Sequence, residues 1–328
     1  MRFSILGCGS MAKSITLEGG LSGESQKVIQ QRSLWSDAVS RFIHNKAAVV
    51  AVSFILFVVL ASIFGPMISP YNYAKQDLFN VSSPPSRDHW FGTDPLGRDY
   101  LTRILMGGRT AFLVGIVVTG ISTTIGVIIG SVSAFKGGFT DSALMRLTEV
   151  VIAFPNVLLA MFIAGTVRPQ IAELTSDFAW FSRSTAVDYI TVFGALAMVS
   201  WPFYARMIRG QILSLRATDF IEAERMMGAS TWRIIKSHLI PNAIGPVIVA
   251  ISAAIGSAML LESSLSFLGI GIQPPGASWG NMINENLVTW RQYPYLLAAP
   301  GIVLSLVVLA FSFLGDGLND ALNPRGRK

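Results

Sequence analysis

Four groups of residues have types and spacings that could do chemistry. Gly7-Cys8-Gly9-Ser10-Met11-Ala12-Lys13-Ser14 has the glycine spacing of a nucleotide-binding turn, with Ala12 where a phosphate loop needs its second glycine. Cys8 follows Ile5-Leu6-Gly7, the setting of a lipidated cysteine. His44, His89 and His238 are the imidazoles available for metal ligation or proton transfer. Glu262 is one acid embedded in an apolar run, where substrate binding or a proton relay is open to it.

Each group needs a setting, and most lack one. A phosphate loop works inside an α/β domain whose sheet supports the helix start. Only about forty residues precede the first long apolar run, too few for that sheet. No apolar signal core of the usual ~7–15 residues precedes Cys8. The three histidines lie far apart, without a ligand-like partner at i+3 or i+4, so no metal site is expected. With Cys8 as the one cysteine, no intrachain disulfide is possible. No catalytic residue and no cofactor are expected on this chain.

The chain is 52% hydrophobic and 13% charged, against about 25% charged residues in soluble domains. That deficit argues for solvation by a lipid bilayer. Charge-poor windows mark six crossings: Ala47 to Phe64, Thr110 to Phe135, Val150 to Val167, Tyr189 to Ala205, Leu239 to Ile270 and Gln292 to Gly315. Most are near the ~20 residues that span a ~30 Å hydrocarbon core. The expected fold class is an all-α polytopic membrane protein. Six crossings put both termini on one side. The two tails and the segments 136–149 and 206–238 hold 17 of the 25 lysines and arginines, so that side is read as cytoplasmic. The modest basic excess fits cytoplasmic loops, and no basic run interleaved with aromatics points to nucleic acid.

Pro155, Pro202, Pro246 and Pro300 fall inside crossings, as packing kinks or as hinges. Gly126 to Gly130, GVIIG, permits close approach of two helices. Ahead of the first crossing, Leu34, Trp35, Ala38, Val39 and Phe42 recur at helical spacing, as in an interfacial helix.

Between the fourth and fifth crossings lies a charged stretch, DFIEAERMMGASTWRIIKSHLIPN, from Asp219 to Asn242. Thr218 or Asp219 can cap a first helix whose apolar face is Phe220, Ile221, Ala223 and Met227. Gly228 ends it, Ser230 or Thr231 caps a second helix, and Pro241 closes the unit. Trp232, Ile235 and Leu239 form the apolar side of that second helix. The residues leave two readings open: a knob that docks in the cleft of a soluble partner, or an amphipathic loop packed on its own bundle.

Glu222-Ala223, Gly228 and Pro241, in this frame, resemble the EAA loop of binding-protein-dependent ABC importers. Glu224, His238 and Ile240 depart from the loop's usual residues and leave its helix–Gly–helix–Pro frame intact. FGTDPLGRDYLTRILMGGRTAFLVG (91–115), LESSLSFLGIGIQPPGASWGNMI (261–283) and FSFLGDGLNDALNP (311–324) are similar to the oligopeptide, dipeptide and nickel permeases, C-type subunit. The resemblance implies a type I ABC importer permease of the MetI-like fold. It divides the chain into a cytoplasmic tail (1–46), a first helix and external loop (47–109), a core permease domain (110–315) with a coupling loop (218–241), and a second tail (316–328).

The implied function is a permease subunit that imports di- or oligopeptides, or alternatively nickel or another small solute. Its implied partners are a homologous B-type permease, two ABC ATPase subunits that bind ATP and Mg, and an external solute-binding protein. Asp219, Glu222, Ala223, Arg225, Met227, Gly228, Trp232 and Pro241 are the expected ATPase-coupling residues. Pro202, Glu262, Ser263 and Ser266 are expected along the translocation path. Arg98, Asp99, Trp180 and Trp279 are expected where the binding protein docks, with helix capping as another role for Arg98 and Asp99, and headgroup anchoring for the aromatics of 168–188. For Glu262, near the outer end of its crossing, pairing between helices or subunits is favoured over a substrate amine or a proton relay. A proton-coupled secondary transporter is the rival class; it would want mid-membrane acids or histidines and an internal repeat, and the sequence displays neither.

Overall fold

The computed structural model describes residues 34–177, 186–234, 237 and 240–322. These residues form α1 (Leu34–His44), α2 (Lys46–Ile68), α3 (Tyr100–Lys136), α4 (Gly138–Ile152), α5 (Asn156–Leu174), α6 (Ala186–Arg216), α7 (Asp219–Met226), α8 (Thr231–Ile234), α9 (Ile240–Phe267), α10 (Trp279–Glu285) and α11 (Pro294–Leu322). Among the described residues there is no strand, only an isolated bridge between Thr93 and Asp99. Six helices are long and apolar enough to cross a membrane: α2, α3, α5, α6, α9 from Gly245 onward, and α11.

Apolar side chains turned outward identify the solvent. Phe57, Phe162 and Ile302 are exposed on α2, α5 and α11. In water such a surface would drive association, whereas hydrocarbon solvates it. The helices meet each other through small residues instead. A Cβ added to Gly126 would lie 2.3 Å from the Tyr204 Cβ, and one on Gly130 2.5 Å from the Ala205 carbonyl oxygen. GVIIG is therefore the seam where α3 crosses α6, at a distance that admits only glycine.

Two apolar cores bind the spans together. Tyr100, Phe112, Met259, Trp279, Leu304 and Phe311 join α3, α9, α10 and α11. Val114, Val118, Ala160, Ala164, Leu196 and Leu265 join α3, α5, α6 and α9. Helix α1 packs beside α11, where Gly317 lies against Ala48 and Phe42. Asn45 caps α2 by accepting from the Ala48 amide and reaches Asp320 through its amide nitrogen.

Two boundaries differ from the expectation. Helix α3 begins at Tyr100, ten residues before the charge-free window, because Arg103 is neutralised inside the protein and does not end the helix. The third crossing is broken: α4 stops at Ile152, and α5 starts at Asn156 after Pro155. Pro202, Pro246 and Pro300 lie inside continuous helices.

Candidate functional site

The charged stretch forms two short helices separated at Gly228, as its spacing predicts; Ile235 and Leu239, expected on the apolar side of the second, lie outside the described residues, and Pro241 falls within α9. Helix α7 leaves α6 through Thr218, whose carbonyl accepts from the Ile221 and Glu222 amides. It ends where Ala229 N–H bonds the Glu224 carbonyl across Gly228, which has φ 80°. This six-to-one closure with a left-handed glycine is the Schellman stop. Ser230 then caps α8 through its side chain and its carbonyl. Ile221 and Ile234 are both buried, in a cluster with Ala134, Ile208, Ile212 and Val247 from α3, α6 and α9.

Of the expected apolar face, Ile221 is buried and Ala223 half-buried, while Phe220 and Met227 are exposed. Met226 is 80% and Met227 75% exposed, beside an exposed Glu222. Ile221 of α7 is buried against the bundle, and Met226 and Met227 beside it are left exposed. The side chains of Arg225, Trp232 and Pro241 lie outside the described residues.

Just above this knob, Arg209 of α6 donates from Nε and Nη2 to the two carboxylate oxygens of Asp141, each at 2.6 Å. The Ser133 hydroxyl donates to the same carboxylate. Arg209 and Ser133 hold the Asp141 carboxyl down at a pKa of about 2. Arg216 donates to the Ala134 carbonyl and lies over the Phe135 ring. Two arginines thus fasten the last turns of α6 to the end of α3 and the start of α4.

At the other end, buried charges build a plate. Asp94 accepts from Arg98 Nε at 2.6 Å and from Arg103, and Glu285 of α10 accepts from both arginines. Asp99 caps α3 through the Thr102 amide and accepts from His89 at 2.8 Å. The Trp279 indole donates to the Ile104 carbonyl. Arg98, Asp99 and Trp279, expected on a docking surface, are buried, and their polar groups are engaged within the chain. Capping, the other role open to Asp99, is the one it performs here. Trp180 lies outside the described residues.

Glu262 is fully buried. It accepts from Ser266 at 2.6 Å and Ser278 at 2.8 Å, with Ser263 at 3.4 Å. No cation faces it among the described residues. The carboxyl ties α9 to the residues that cap α10, which is a link within one chain. Pro202, Ser263 and Ser266 are buried as well, so none of the four expected path residues borders the open cavity.

That cavity, of about 420 Å³, lies between α3, α5, α6 and α9. Its walls are largely apolar, as at Val118, Val199 and Leu261, and its polar groups include Thr119, Asn156, Ser200 and Arg206. The sequence hid them: isolated small polar residues in apolar helices show no spacing of their own, and Arg206 resembles any flanking base.

Six crossings, a polar knob rooted on one side and a half-open cavity between four helices define a membrane-embedded transport subunit. The chain belongs to the family described as binding-protein-dependent transport system inner membrane component, which matches residues 122–328. The N-terminal TM domain of oligopeptide transport permease C matches residues 33–85. The chain is therefore a multi-pass inner membrane protein. It is 36% identical to the oligopeptide transport system permease protein OppC of Bacillus subtilis, over 94% of this chain and 95% of the relative. It is 38% identical to the dipeptide transport system permease protein DppC of the same organism, over 90% and 87%. With OppC of Escherichia coli the identity is 37%, over 94% and 97%. In fold it is similar to the MetNI methionine ABC transporter in inward facing conformations, at a TM-score of 0.52 and 17% identity, covering 67% of this chain and 96% of that one.

Proposed function

We propose that this chain is one permease subunit of an ATP-driven peptide importer. A related B-type permease completes the pathway, two ATPase subunits bind ATP and Mg, and an external binding protein delivers the peptide. The relatives' peptide cargo supports the substrate. The knob at 218–241 carries the coupling reading. Its Ile221 and Ile234 are rooted in the bundle while Glu222, Met226 and Met227 face outward. Exposed methionines beside charge suit a groove on a soluble partner.

Mechanically, the knob is the handle and α6 the shaft. A short capped helix resists bending, and the arginine fastenings at Arg209 and Arg216 pass its displacement to α3 and α4. ATP-driven closure of the ATPases would draw the knob toward its counterpart on the other permease and open the cavity outward. Asp219, Ala223 and Gly228 set the knob's shape; Arg225, Trp232 and Pro241 belong to the same segment.

Complexes with Gly228→Pro or Glu222→Lys, reconstituted in vesicles, are expected to assemble and hydrolyse ATP while peptide uptake falls at least about tenfold, since a single buried interface contact is worth ~1–2 kcal/mol or more. Proline cannot adopt the positive φ of residue 228. Unchanged uptake would refute the coupling role. Uptake of a nickel chelate in place of peptide would overturn the cargo.

A further inference from the structure

We propose that the cavity between α3, α5, α6 and α9 contains a carboxylate-binding point centred on Arg206, which holds the free carboxyl end of a peptide in transit. The inference depends on the peptide reading above and deepens it.

A path for peptides of varied sequence cannot select on side chains, and walls such as Val118, Val199 and Leu261 offer only apolar contact. What every linear peptide shares is its backbone and its two charged ends. Arg206 is the one charged side chain among the lining residues. Elsewhere in the described bundle, Arg98, Arg103, Arg168 and Arg209 each face a carboxylate within the chain. No such acid pairs with Arg206 among the described residues. Arg206 is exposed at the cavity wall, at the knob-side, proposed cytoplasmic, end of its crossing, and its planar fork matches a carboxylate in two-point fashion.

One further feature points the same way. Asn156 lines the cavity at the start of α5, where no side chain caps the first amides. Open helix amides donate to an anion. The volume of about 420 Å³ falls in the usual ligand-pocket range of ~300–1,000 Å³. A phospholipid phosphate offers the same charge, and the test separates the two.

The whole transporter, with both permeases, both ATPases and the binding protein, is reconstituted in liposomes of defined anionic lipid content. Uptake of a peptide and of its C-terminal amide is measured at saturating loaded binding protein for wild type, Arg206→Gln and Arg206→Lys. Expressing each variant relative to wild type, peptide by peptide, cancels the binding protein's own preference. The glutamine variant is expected to lose about tenfold with the free acid and less than about twofold with the amide, a charged hydrogen bond being worth ~1.5–3 kcal/mol. The lysine variant, which keeps the charge and loses the two-point fork, should recover part of the loss with the free acid, and ATPase stimulation should persist in all. If the wild type does not carry the amide, recovery by lysine decides: recovery supports the assignment and its absence overturns it. Equal losses for both peptides, no loss, or a loss that follows anionic lipid content overturns it. A wild type that carries neither peptide overturns the cargo reading, and this assignment with it.

Discussion

Arg146–Glu149 and Arg209–Asp141 are both ion pairs, and only the second is built to matter. The first joins exposed neighbours on α4 and is worth little. The second is bidentate, spans two helices and has Ser133 as a third donor. Asp141→Asn is therefore expected to lower the thermal midpoint of the purified complex by a few degrees, on the scale of ~2–4 °C per kcal/mol. The sign with pH follows from the depressed carboxyl. Its contribution is complete above the ordinary pKa of 3.8 and is lost only as pH falls through about 2. The wild-type minus Asp141→Asn difference should stay flat from pH 8 to pH 5 in a thermal melt. The sequence showed Glu262 as an anomaly and offered Ser266 one turn on, but Ser278 reaches the same carboxyl only through the return of the chain into α10. Arg209 and Asp141, 68 residues apart, carry no local sign of one another.

Elements were legible where local rules act alone. Gly228, Ser230 and the alternation of helix and cap gave the knob before any tertiary contact was known, because capping is decided within a few residues. Which face turns inward was not, since the cluster around Ile208 and Ile212 selects Ile221 and Ile234 over Phe220 and Met227. Ile221→Asp should detach the knob: ATPase activity persists in the assembled complex while uptake is lost, measured side by side in the same vesicles. GVIIG was a weak pattern that the fold made specific. Gly126→Leu or Gly130→Leu should cost ~1–3 kcal/mol or more by overpacking, seen as reduced yield of folded complex, whereas Gly120→Leu, with open space around it, should be tolerated.

At the scale of the molecule, the number and order of crossings were readable because hydrocarbon imposes length and composition on each span. The buried plate of Asp94, Arg98, Arg103 and Glu285 was not, since charge-free windows discard the residues that compose it. We propose from the basic-residue bias that the knob lies inside and the plate outside. In a Cys8→Ser background, Met227→Cys should react with a membrane-impermeant thiol reagent only in inverted vesicles, and Phe79→Cys only in right-side-out ones; the reverse pattern would overturn the orientation. Helices α7 and α8 are eight and four residues long, below the ~12–15 that hold shape alone in water. They borrow rigidity from the bundle floor beneath them. Under the coupling role proposed above, a synthetic copy of residues 218–241 would reach the ATPase without its helices formed and make a poor decoy. An inhibitor mimicking this segment needs a chemical staple in place of the floor that Ile221 and Ile234 grip.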